Sequence, residues 1–124
     1  MPTGKTYDET DGQALNVALV STVEANDVVY AEGWLGVSAG NGDSGDSVAL
    51  TIARTERQFV VPSGLAVAKG AIVCIDTTAI SGTNIPPDGA YNTSAQSATN
   101  LPLFKATAAK DANHVVTGIL LAGL

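Results

Sequence analysis

A chain of 124 residues with 45% hydrophobic content suits one domain, and with only 5% aromatic residues its core must be built from small aliphatic side chains. Six basic residues against twelve acidic ones leave a net charge of −6 and no basic cluster, which excludes a nucleic-acid footprint and argues against an anionic membrane surface. Cys74 is the only cysteine, so no intrachain disulfide can form; there is no basic-then-apolar N-terminal signal and no apolar run of membrane-spanning length, as expected of a soluble protein made in a cytoplasm.

Residues 1–12 are polar and punctuated by Pro2, Gly4 and Gly12, which predicts a flexible arm ahead of a single β-domain over 13–124. A first strand is predicted over Ala14 to Val20, where Leu15, Val17 and Leu19 alternate onto one face. Glu24 to Asp27 reads as a turn, Val28 to Tyr30 as a short strand, and Trp34 to Val37 as another. Ala39 to Ser47 is a glycine-rich turn-former, followed by an alternating strand from Ser47 to Arg54. Phe59 to Val61 forms a strand stopped by Pro62, and Ser63 to Lys69 has room for one helical turn. Ile72 to Ile75 is an apolar strand. Ser81 to Asn100 is rich in Gly, Thr, Asn, Ser and Pro and reads as a long surface loop with a strand fragment near Ala90 and Tyr91. Strands over Leu103 to Ala108 and His114 to Leu121, joined by a turn at Asp111 to Asn113, complete the chain. Short antiparallel strands at this spacing predict an all-β fold, a small β-sandwich or tulip-like barrel.

Chemistry-bearing constellations are sparse. Gly4-Lys5-Thr6 copies the end of a phosphate loop, but only three residues precede it, so the upstream glycine and strand are missing. Asp43 and Asp46 share a glycine-rich turn with too few oxygen ligands for calcium. His114 is the sole histidine and opens the last strand; with Cys74 alone it makes neither a triad nor a zinc site. Cys74 lies in an apolar run with no adjacent base and reads as a small hydrophobe. No catalytic, cofactor-binding or metal residue is assigned, and no cofactor is expected. Trp34 reads as a core anchor or lid, with an oligomer contact as the alternative. Arg54 and Arg57, around Glu56, read as an exposed strand-turn pair or as contacts to a neighbouring subunit.

The order of motifs carries more than any one of them. Asn26-Asp27-Val28-Val29, Gly33-Trp34-Leu35-Gly36-Val37 and Gly45-Asp46-Ser47-Val48-Ala49-Leu50 are followed by Phe59-Val60-Val61-Pro62, Val67-Ala68-Lys69-Gly70-Ala71-Ile72-Val73 and Thr117-Gly118-Ile119-Leu120. This succession, from about Ala14 to Leu121, resembles the small capsid decoration (head cement) proteins of tailed phages, similar in role to the lambda head decoration protein. The chain departs from that pattern at Cys74-Ile75, where the family has an aromatic pair, in its longer Ser81 to Asn100 segment, and in its Leu-Leu closing strand. The resemblance implies a structural, non-enzymatic virion protein on the outer surface of the expanded capsid, made in the bacterial host cytoplasm. Its implied partners are the major capsid protein and itself, as a homotrimer. The arm, with Thr3, Gly4, Lys5, Thr6 and Tyr7, is the expected capsid-binding element, ordering as an added strand on docking. Competing readings are the base of a head fibre or another virion accessory protein, and a carbohydrate-binding β-sandwich, for which the scattered aromatics are too few.

Overall fold

The computed structural model describes Thr3 and residues 14–121. It is all-β, with two antiparallel sheets that do not close into a barrel. The first sheet contains β1 (Ala14–Ala18), β2 (Val28–Ala31), β3 (Trp34–Ser38) and β4 (Ser47–Thr51), in the order β1-β4-β3-β2. The second contains β5 (Glu56–Val60), β6 (Ile72–Asp76), β7 (Tyr91–Asn92), β8 (Asn100–Ala106) and β9 (Val115–Leu120), in the order β5-β9-β8-β6-β7.

The turns explain why these strands start where they do. Three strands are entered through a four-residue turn whose third residue is left-handed: Asn26 (φ 72°) before β2, Gly45 (φ 92°) before β4 and Gly70 (φ 87°) before β6. That conformation suits Gly and Asn and is costly for other side chains. In the first two turns an aspartate closes the loop, Asp27 accepting from the Glu24 amide at 2.9 Å and Asp46 from the Asp43 amide at 2.8 Å. The β2–β3 hairpin turns through Glu32 and Gly33, both at positive φ, as a two-residue hairpin requires.

Burial divides into two cores. Val17, Leu19, Val23, Val29, Ala31, Val48 and Leu50 form the smaller one inside the first sheet. Leu35, Val37, Phe59, Val73, Ile75, Leu103, Phe104, Val116 and Leu120 belong to the larger one, over the second sheet. β1 and β4 serve one core and alternate cleanly. β2 is apolar on both faces, because Val29 and Ala31 point to the small core while Val28 and Tyr30 join Leu35 and Val37 of β3 in the large one; the other face of β3 carries exposed Trp34, Gly36 and buried Ser38. Phe59 and Phe104 stack at 4.1 Å between ring centroids. Gly118 lies beneath them: a Cβ there would stand 2.5 Å from the Phe104 ring.

Several expectations are corrected. Ser63 to Lys69 contains turns and no helix. The segment read as a surface loop is only partly one, since Asn84, Pro86 and Ala90 are buried and its exposed residues are 81–82, 87–89 and 93–99. β8 begins at Asn100, ahead of the expected start at Leu103, and runs through Pro102; a register shift opposite Val73 and Cys74 accommodates the missing amide. Asn84 is what the buried part of that segment contributes. Its Oδ1 accepts from the Val20 and Ser21 amides at 2.8 and 3.1 Å, and its Nδ2 donates to the Tyr30 carbonyl at 3.0 Å. One side chain thus ties together the two outer strands of the first sheet.

Candidate functional site

Where the two sheets part, a cleft of about 770 Å³ opens. One wall is β5, from Thr55 to Val60; the other is the turn and strand from Asn26 to Val28, with Tyr91 at one end. Val28, Val37, Phe59, Ile85 and the Tyr91 ring supply apolar lining. Asp27, Glu56, Arg57 and Gln58 supply polar groups. The sheets' own geometry positions each group. In β5, Arg57 and Phe59 point inward and Glu56, Gln58 and Val60 point out, a period of two. Asn26 is placed by its left-handed turn, and its Oδ1 accepts from an Arg57 terminal nitrogen at 3.3 Å, linking the two walls.

The electrostatics of the cleft are acidic. Asp27 lines it and Asp88 lies close enough to act on Tyr91, against Arg57 as the one cation among the lining residues; the Glu56 carboxylate is turned to the outer face, where it accepts from the Thr107 hydroxyl at 3.3 Å. Burial first, and then the charges of Asp88 and Asp27, push the Tyr91 hydroxyl up to about 12.

The residues singled out from sequence are not gathered in one place. Arg57 lines the cleft, half-buried and hydrogen-bonded, which corrects its reading as an exposed partner of Arg54. Arg54 is exposed in the β4–β5 connection. Trp34 opens β3 and is 43% exposed, which makes it a surface residue and not a core anchor. Thr3 is exposed in a turn; Gly4, Lys5, Thr6 and Tyr7 lie outside the described residues. Cys74 is buried, and burial raises its thiol pKa, as befits a small hydrophobe. His114 sits exposed at φ 62° in the turn before β9, where the Asp111 carboxylate accepts from the Asn113 and Val115 amides at 2.8 and 2.9 Å. Among the described residues no group of three potential metal ligands comes together.

Sequence reasoning missed Tyr91 and Asn26 as lining. The available signal was local, an Asn at the left-handed position of a turn. That this turn faces β5 is decided some thirty residues away. No protein-family model, curated protein or solved structure matches the chain.

Proposed function

We propose that this chain is a structural virion protein that binds the outside of the expanded icosahedral head of a tailed phage and stabilises it by clamping neighbouring major capsid subunits. The observation that carries the reading is the ordered series of turn-strand motifs. Asn26-Asp27-Val28, Gly45-Asp46-Ser47-Val48 and Gly70-Ala71-Ile72-Val73 each enter a strand through the same kind of turn. Phe59-Val60-Val61-Pro62 closes β5, and Gly118 occupies the one point of β9 where a side chain would strike the Phe104 ring. On this reading the two-sheet module works by its surface, through contacts with capsid subunits. Weak contacts at each subunit suffice if several copies dock together, because linked contacts multiply. A homotrimer whose arms, including Thr3 to Tyr7, add to capsid strands would have that property.

Co-sedimentation with expanded, undecorated heads of the cognate phage tests this, alongside the mass in solution by light scattering. Saturable binding at a fixed ratio to the shell subunit, with a trimer mass, is the expected result. Absence from the pelleted shells would overturn the assignment. Deleting residues 2–12 is expected to abolish pelleting while leaving the oligomer mass per chain count unchanged.

A further inference from the structure

A sheet edge exposes unpaired backbone amides and carbonyls, and proteins ordinarily cover or shorten it. Two of the four edges here are treated that way, and a third is closed at one end. At β2, the Asn84 backbone carbonyl accepts from the Tyr30 amide at 2.9 Å and the Asn84 side chain donates back to the Tyr30 carbonyl. At β1 only the C-terminal end is closed, where the Glu32 carboxylate accepts from the Ala18 amide and Asn84 takes the Val20 amide just beyond the strand; the outward groups of Ala14 and Asn16 have no partner among the described residues. β7 is only two residues long. β5 is different. Its bonds to β9 are phased by Leu120 donating to the Thr55 carbonyl and Val61 donating to the His114 carbonyl, both at 3.0 Å. With the pairs Arg57–Gly118 and Phe59–Val116 in the same phase, the amides and carbonyls of Glu56, Gln58 and Val60 point away from β9. No described residue hydrogen-bonds to them. Val60, at 73% exposure, is the most exposed large apolar side chain among the described residues.

This open edge forms a wall of the acidic cleft. We propose that the β5 edge is a docking site for an extended segment of a partner protein that carries a basic residue and adds to the second sheet as a further strand. The edge supplies main-chain hydrogen bonds; Val28, Val37 and Phe59 receive alternate side chains; Asp27, with Asp88 acting from beside Tyr91, receives the cation. A second copy fits poorly. Antiparallel pairing of two β5 edges through these groups sets Gln58 against Gln58 and Glu56 against Val60, so it matches no charges and brings two acidic clefts together. The chain's own first thirteen residues hold Lys5 against Asp8, Glu9 and Asp11, again the wrong sign. The inference stands whether or not the partner is a capsid subunit.

The test is a fluorescence-anisotropy titration of the full chain with a set of labelled peptides, each alternating Thr and Val with one Lys at a different position. Saturable binding that prefers one Lys position and is lost when that Lys is replaced by Glu is expected. N-methylating the alternate peptide amides that face β5 should abolish binding, and methylating the other set should not. Gln58→Pro removes an outward amide and none of the bonds to β9, so it should weaken binding about tenfold or more without changing the unfolding midpoint. If that variant fails to fold, the methylated peptides carry the same test on the native chain. Binding by no peptide, or binding indifferent to methylation, overturns the proposal. So does tighter binding of a peptide copying residues 2–8, which would assign the edge to the chain itself. Self-association that Gln58→Pro removes would assign it to a second copy.

Discussion

The two sheets solve one problem in opposite ways. Both have outer strands with backbone groups to satisfy. The first sheet closes around its small core, and a single buried side chain, Asn84, gathers the ends of β1 and β2. The second is held by the stacked Phe59–Phe104 pair at its centre and leaves β5 open at its margin. Stability in one comes from sealing the seam, and in the other from a dense middle that tolerates an unsealed edge. A binding surface is best carried by the latter, because an edge can stay open only where the fold does not depend on closing it.

This contrast can be broken most severely at the centre of the second sheet. Phe104→Ala is expected to cost about 3–5 kcal/mol, lost transfer energy plus the cavity left under Phe59. Adding a methyl at the same place from the other side, Gly118→Ala, should cost about 1–3 kcal/mol, because the Phe104 ring and the Lys105 carbonyl, 2.5 and 2.8 Å from the new Cβ, must move. Urea unfolding of both variants measures these losses.

Asn84→Ala tests the sealed sheet. It orphans the Val20 and Ser21 amides and the Tyr30 carbonyl, and a loss of about 2 kcal/mol is expected. The distribution matters more than the total. Amide exchange should accelerate at Val20, Ser21 and neighbouring β2 positions while β8 and β9 stay protected. Uniform acceleration in both sheets would mean that the seam supports the whole fold and not one sheet.

The smallest effect at neutral pH belongs to Tyr91→Phe, which should change stability there by less than about 0.5 kcal/mol. Its signature is alkaline. The Tyr91 hydroxyl is raised in the folded state from 10.0 to about 12, so above pH 10 the unfolded chain releases a proton that the folded one keeps. Stability is therefore intact below that pH and falls as pH rises through the window between the two values, by up to about 1.4 kcal/mol per pH unit. The phenylalanine variant should lose this slope, as pH-dependent urea midpoints would show.

Much of the fold is legible locally. Asn26, Gly45 and Gly70 announce left-handed turns, and Leu15, Val17 and Leu19 announce a strand with one buried face. β2 and β3 are also read as strands, over Val28 to Tyr30 and Trp34 to Val37, and the structure has them at Val28–Ala31 and Trp34–Ser38. What stays hidden is that the two faces of β2 meet different cores, because no window of the sequence contains both cores. The entry of Pro102 into β8 is hidden for a related reason: the irregularity that admits the proline is made jointly by β6 and β8. Of the candidate site, Arg57 and Glu56 were visible as charges, but their companionship with Asn26, Asp27 and Tyr91 was not.

The sequence by itself determined the all-β class, the approximate strand positions and the turns, because these follow from backbone preferences acting over a few residues. Tertiary structure alone decided that Asn84 seals one sheet, that Gly118 makes room for Phe104, and that β5 lies at the margin of its sheet with no described residue bonded to its outer groups. Each of these depends on which strands become neighbours, and that is settled by burying two cores at once across separations of ten to sixty residues.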